Sequence, residues 1–188
     1  MQLSVRDHRP DDDVELEAML RAHCAIDPDY PQPLFRDAPL VVWAAAHTDV
    51  LRLVAHKGPL LVGHAGACSV PDSSPTARIW CEHLGLPADA LAEVTRAVVH
   101  PEHRRRGIGD TVTTHVVRRL RDRGLVPVAT AREDRDASLA MMDAHGWSVI
   151  GRRTGPVSGD PILVLVPPPH LVAAARSTHP PDRPDGPR

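Results

Sequence analysis

Apolar and polar residues alternate from Gln2 to Arg6, which predicts a strand with one buried face. Asp11, Asp12 and Asp13 suit an N-cap and the acidic first turn of a helix. Behind them Leu16, Met19, Leu20 and Cys24 fall on one helical face. The stretch Asp27-Pro28-Asp29-Tyr30-Pro31-Gln32-Pro33 breaks that helix and predicts a loop. A second helix is expected over Phe35 to His47, carrying the apolar run from Val41 to Ala46. Val50 to His56 and Leu60 to Val70 read as strands, and the short Lys57-Gly58-Pro59 link makes them a hairpin. Pro71 to Pro87 reads as a polar loop followed by a short run, Arg78 to Cys81, whose type the pattern leaves open.

The second half is more regular. From Glu93, the residues Val94, Ala97, Val98 and Val99 predict a strand, which Pro101 ends because it has no N–H to give. Ile108, Val112, Val116 and Leu120 recur every fourth residue and predict a helix that closes at Gly124. Val126 to Ala131 reads as a strand, and Asp134 or Asp136 caps a short helix carrying Ser138 and Met142. Trp147 to Arg152 and Ile162 to Val166 supply the last two strands, and Pro167-Pro168-Pro169 stops the second of them. Leu171 to Arg176 suffices for one helical turn. Residues 177–188 hold four prolines and nothing apolar, too little to offset the entropy of ordering them. The expected organisation is one folded domain over residues 1–168 and a proline-rich, disordered tail over 169–188.

Composition narrows the function classes. A chain of 188 residues with 42% hydrophobic content fits one domain with a real core. Aromatics are only 3%, so Val, Leu and Ala must fill it. No apolar run approaches the roughly 20 residues of a membrane span. Four aspartates and two glutamates in the first 20 residues do not suit a secretory signal, so the cytoplasm is the expected compartment. Cys24, Cys68 and Cys81 are odd in number and irregularly spaced, which argues against a disulfide framework. Of the 12 histidines, His100-x-x-His103 and the Cys81-Glu82-His83 run have no second pair at a defined spacing, so no metal site is expected.

The candidate chemistry lies between Glu93 and Asp110. A strand, a glycine-bearing turn and the N-terminus of a helix make an anion site, because the first helical N–H groups lack partners and the dipole adds positive charge. Gly107 and Gly109 let a diphosphate approach the backbone. A Rossmann fingerprint would need glycine at residue 112, which is Val, and no Gly-Lys-Ser/Thr follows for a Walker-type loop. A nucleic-acid patch including Arg118, Arg119, Arg121 and Arg123 conflicts with the net charge of −2 and the interleaved acids. Lys57 is the only lysine among 22 basic residues, so the arginines partly reflect overall composition.

Arg104-Arg105-Arg106-Gly107-Ile108-Gly109 resembles the (Q/R)-x-x-G-x-(G/A) signature of the GCN5-related N-acetyltransferase (GNAT) superfamily. The segment from Arg135 to Trp147 resembles that family's second cofactor motif through Ser138, Gly146 and Trp147. It departs at Arg135, where Asn is usual, and at Met142, where Tyr is usual. The resemblance implies a mixed α/β (α+β) fold, with a partly antiparallel central sheet flanked by helices. It further implies transfer of an acetyl group from acetyl-CoA, as cosubstrate, to an amine acceptor. By carry-over, backbone groups of Ala97, Val98 and Val99 would meet the pantetheine arm, and Arg104 to Asp110 would hold the pyrophosphate. Arg135 would reach a phosphate or sit in solvent; Ser138 and Met142 would lie near the cofactor.

Glu93 stands eleven residues before Arg104, the interval that separates the catalytic glutamate from this motif in the superfamily's histone acetyltransferases. It is the candidate general base, the alternative being an exposed strand start. Thr95, Arg96 and His83 are lesser candidates. Thr130 matches the position where other members carry a glutamate, and it cannot act as a base. Asp27, Asp29 and Tyr30 would suit a cationic acceptor. Neither nucleic acid nor membrane is an expected partner. Homodimers are common in the family this chain resembles. The competing class is a non-catalytic acyl-CoA-binding domain with a sensing or scaffold role.

Overall fold

The computed structural model describes residues 2–27, 39–46, 48–155 and 159–176. The alternation at the N-terminus becomes β1 (Leu3–Asp7), and the hairpin becomes β2 (Leu51–Lys57) and β3 (Leu60–Ser69), turned at Gly58 with φ +64°. With β4 (Leu91–Val99), β5 (Val126–Arg132), β6 (Ser148–Thr154) and β7 (Pro161–Val166) they form one seven-stranded sheet. Its order is β1-β2-β3-β4-β5-β7-β6, and among the described residues only β4 and β5 run parallel. A parallel pair needs a crossover. Helix α4 (Ile108–Asp122) supplies it.

The period of two along each strand sorts the core onto two faces. Leu51, Leu53 and Ala55 of β2 pack with Ile108, Val112, Val116 and Leu120 of α4. Val54, between them, joins Leu16, Met19 and Leu20 of α1 (Asp13–Ile26) and Leu40, Trp43 and Ala44 of α2 (Leu40–Ala45) on the other face. Helix α5 (Asp136–Ala144) lies with α4, through Met142 and the half-buried Leu139 and Met141. The helix expected over residues 35–47 is described only as α2. Asp29 and Tyr30 lie outside the described residues.

The segment read as a loop over Pro71 to Pro87 contains helix α3 (Pro75–Leu84). Ser74 caps it by accepting from the Thr76 N–H at 3.2 Å, Pro75 opens it, and Gly85 ends it with φ +63°. Ala77, Trp80 and Leu84 face Val126, Val128, Val164 and Val166 in a third cluster. Trp80 Nε1 donates to the Leu165 carbonyl at 3.1 Å. The apolar positions were too few and too interleaved with Arg78, Glu82 and His83 to display a period on their own. Packing on β5 and β7 decides the helix.

The expected boundary at residue 168 falls at the start of α6 (Pro169–Arg176). Leu171 and Val172 are buried at 7% exposure each, and α6 meets β5 and α4, so the packed unit runs beyond residue 168. Residues 177–188 lie outside the described residues.

Candidate active site

Strand β4 is the middle strand of the sheet, yet its two ends are paired differently. Leu91 to Val94 pair with Val126 to Ala129 of β5, and there the ladder stops. From Ala129 onward β5 pairs with β7 on its other side. Toward β3, β4 remains paired as far as Val99, but with a shift: Gly66 opposes Thr95 and His64 opposes Val98. Two residues, Arg96 and Ala97, therefore face the single Ala65, which defines a β-bulge. Arg96 takes φ +56°, a left-handed conformation that costs a non-glycine residue roughly 1–2 kcal/mol.

The bulge resets which way side chains point. Before it Ala92 and Val94 face α4; after it Val98 joins the α1–α2 cluster and Val99 packs on the α4 side. Ala97 is exposed although its strand is central. The last residues of β4 thus present a backbone edge toward β5 that no strand among the described residues covers.

That edge leads to the N-terminus of α4. Arg105 (φ +60°) and Gly107 (φ +74°) are both left-handed, and Gly107 forms the N-cap without a side-chain cap. The first helical bond runs from the Thr111 N–H to the Gly107 carbonyl at 2.9 Å. The N–H groups of Ile108, Gly109 and Asp110 therefore have no intrahelical acceptor. A Cβ added to Gly107 would meet nothing within 4 Å, so the turn faces open space. One on Gly109 would lie 3.3 Å from Val99 Cγ2, so α4 sits close on β4. The Ile108 side chain is buried in the core, and only its backbone belongs to the turn.

The three arginines separate in role. Arg105 and Arg106 are exposed beside the turn. Arg104 turns inward: its Nε donates to the Val99 carbonyl at 3.5 Å and its guanidinium donates to His23 Nδ1 at 2.6 Å. Burial, then the Arg104 charge, lowers the His23 pKa to about 4, so the ring is neutral and can accept. Its Nε2 lies 3.8 Å from Asp27 Oδ2. Asp27 in turn pairs with Arg135, including an Nη2–Oδ1 contact at 3.2 Å. Burial opposes ionisation of Asp27, but Arg135, with His23 and Arg104 beside it, outweighs burial, and the Asp27 carboxyl stays below the usual range. Asp27 and Arg135, expected at an acceptor and at a phosphate or in solvent, bind each other here. The contacts run from just past β4, through α1, to just past β5, spanning the place where those strands part.

Asp110 carries a carboxylate bonded to His145 Nε2. On α5, Ser138 is exposed, whereas Met142 is 9% exposed inside the α4-side core. Glu93 is half-buried, and its Oε1 accepts from the Thr130 hydroxyl at 2.5 Å. Cys68 lies opposite Glu93 on β3; burial, then the Glu93 charge, pushes its pKa up to about 12. That sulfur is a thiol at neutral pH and no nucleophile. Thr95 is half-buried on β4, and His83 is exposed at the end of α3.

Among the described residues, no group of three or more His, Cys, Asp or Glu side chains is arranged to hold a metal. The His100 and His103 rings meet edge to face at 5.4 Å, and His100 Nδ1 accepts from the Glu102 N–H at 3.3 Å. Among the described residues no helix is long and apolar enough to cross a membrane. Two further residues have contacts that the sequence does not announce. One is His23, 81 positions from Arg104. The other is His64, whose Nδ1 lies 2.9 Å from the Arg96 carbonyl, 32 positions away.

Residues 13–147 match the family model of the acetyltransferase (GNAT) family. No curated protein matches the sequence significantly. Solved structures resemble the fold. The ribosomal-protein-S18-alanine N-acetyltransferase of Escherichia coli aligns at a TM-score of 0.63 and 12% identity, over 88% of this chain and 94% of that one. A ribosomal-protein-alanine N-acetyltransferase of Brucella melitensis aligns at 0.63 and 17% identity, over 86% and 97%. A GNAT-family acetyltransferase of Brucella melitensis, solved with acetyl-CoA, aligns at 0.57 and 17% identity, over 88% of each chain. At such identities the likeness speaks for the fold.

Proposed function

The chain belongs to the acetyltransferase (GNAT) family, and from that premise we propose that it is an N-acetyltransferase carrying the acetyl group of acetyl-CoA to a primary amine. The observation that carries this reading is the open edge of a central strand leading to an uncapped helix N-terminus. That combination fits a ligand with amide groups at one end and phosphates at the other. The backbone of Ala97, Val98 and Val99 would pair with the amide-bearing arm. The N–H groups after Gly107 would hold the pyrophosphate, with Arg105 and Arg106 adding charge. Arg104 would act by holding the turn against α1, and Arg135 by its pair with Asp27. Acetyl-CoA, when bound, supplies an acyl group on a thiol leaving group.

Glu93 is the residue proposed to take the proton from the acceptor ammonium. Thr130 holds one of its oxygens and orients the carboxylate. Met142, buried and without a proton to give, would serve packing, and the thiolate would leave without help from that position. Thiols ionise near pH 8.5, so an unprotonated thiolate is a tolerable leaving group.

The test is a panel of small amines, peptide N-termini and lysine peptides with acetyl-CoA, following release of free thiol. Acceptor-dependent release supports the reading. Tight CoA binding with no turnover on any acceptor class would replace it with a non-catalytic acyl-CoA-binding role.

A further inference from the structure

His64 lies in the middle of β3 at 0% exposure, an unusual place for an imidazole. Burial lowers its pKa to about 4; the hydrogen bond to the Arg96 backbone opposes that shift, and nearby His8, Arg52 and Arg96 reinforce it, so the ring is neutral near pH 7. A carbonyl oxygen can only accept, so the 2.9 Å contact with Arg96 requires the proton on Nδ1. Nε2 is then the bare nitrogen, and it has no hydrogen-bond partner among the described residues. Burying an unpaired nitrogen is unfavourable. A leucine would fill the space without that cost, so the retained bond to Arg96 needs a reason.

The reason lies in what that carbonyl belongs to. Arg96 is the left-handed residue of the β4 bulge. Holding its carbonyl fixes the strained peptide, and with it the direction in which Ala97 to Val99 leave the sheet. The side chain of the same residue lies over Trp43 of α2, 4.5 Å from the ring centroid, and its Nε reaches the Ala46 carbonyl at 3.5 Å. We infer that His64 is a positioning residue: through its Nδ1–H it holds the Arg96 bulge in the form that leaves the β4 edge open for the cofactor.

This role rests on the cofactor site proposed above, and the experiment separates the two. Calorimetry with CoA comes first on the wild type. No binding there overturns the cofactor site, and this role with it. With binding established, His64→Leu is expected to raise Kd and the KM for acetyl-CoA about tenfold, with a smaller change in kcat. His64→Asn is expected to keep near-wild-type affinity, because its amide N–H can donate to the same carbonyl.

The decisive variant is His64→Leu combined with Arg96→Gly. Glycine adopts positive φ without the penalty and needs no hydrogen bond to stay there. The double variant should therefore regain most of the lost CoA affinity. A folded His64→Leu protein with wild-type affinity overturns the proposal. So does a loss that is present both in His64→Asn and in the His64→Leu, Arg96→Gly double variant, since that marks lost packing. Nitrogen NMR of the wild type gives an answer even where a variant fails to fold. Protonated Nδ1 and bare Nε2 are expected near pH 7, and the opposite tautomer refutes the role.

Discussion

At the scale of single residues, the site depends on groups whose surroundings differ more than their types suggest. Gly107 faces open space in a left-handed conformation, so a branched side chain would both strain the turn and block its N–H groups. Gly107→Val is expected to weaken CoA binding by about tenfold or more, which corresponds to about 1.4 kcal/mol, with the fold retained; calorimetry reads this directly. Glu93→Gln is expected to lower turnover about 10²–10⁴-fold, the range for a positioned base, and to leave CoA affinity nearly unchanged. Full rate in that variant would leave Glu93 a structural role only. Thr130→Val should reduce kcat while sparing the KM for acetyl-CoA, because its hydroxyl touches Glu93. The motif carries Gly107 in plain view, whereas no local pattern ties Thr130 to Glu93.

At the scale of elements, α4 was legible and α3 was not. Four apolar residues at fourfold spacing announce α4, and two arginines, Arg119 within it and Arg123 just past its end, tie it to β1 and to the residue before β2. Arg119 pairs with Asp7 at 2.5 Å, and Arg123 donates to the Val50 carbonyl. Helix α3 has its signals too, in Ser74-Pro75 at the start and Gly85 at the end, but it has only ten residues, of which Ala77, Trp80 and Leu84 are its buried apolar ones. Trp80 anchors it by burial and by its bond to Leu165. Trp80→Phe removes that hydrogen bond and part of the buried ring and should cost about 1–3 kcal/mol of stability. Urea denaturation measures the loss, and CoA affinity should stay as it was, since α3 lies on the face opposite α4. A drop in affinity would mean that α3 supports the cofactor turn.

At the scale of the whole molecule, buried histidines set the response to acid. His23 and His64 are neutral in the fold with pKa values of about 4, against an unfolded value near 6.5. Between pH 6.5 and 4 the unfolded chain binds protons that the folded one does not. Stability is therefore complete above about pH 6.5 and falls as pH drops through that window. The loss at pH 5 should be on the order of 2 kcal/mol per histidine. Asp12, held at about 2 chiefly by the Arg6 hydrogen bond, adds a second loss as pH falls from about 4 toward 2. Urea midpoints at pH 7.5 and pH 5 check the first window, and equal midpoints would show that these rings are not buried neutral. What the sequence alone determined is what repeats locally: the strands, α1 and α4, and the glycine turn with its helix start. Side-chain period and turn chemistry are properties of neighbouring residues, and they survive without any partner. Only the tertiary structure decided where β4 leaves β5, that Arg96 bulges, and which distant residues hold the site. Arg135 meets Asp27 across 108 positions and Thr130 meets Glu93 across 37. Such contacts are chosen by the energy of the packed whole, in which strain at one residue is offset by a hydrogen bond from a strand far along the chain.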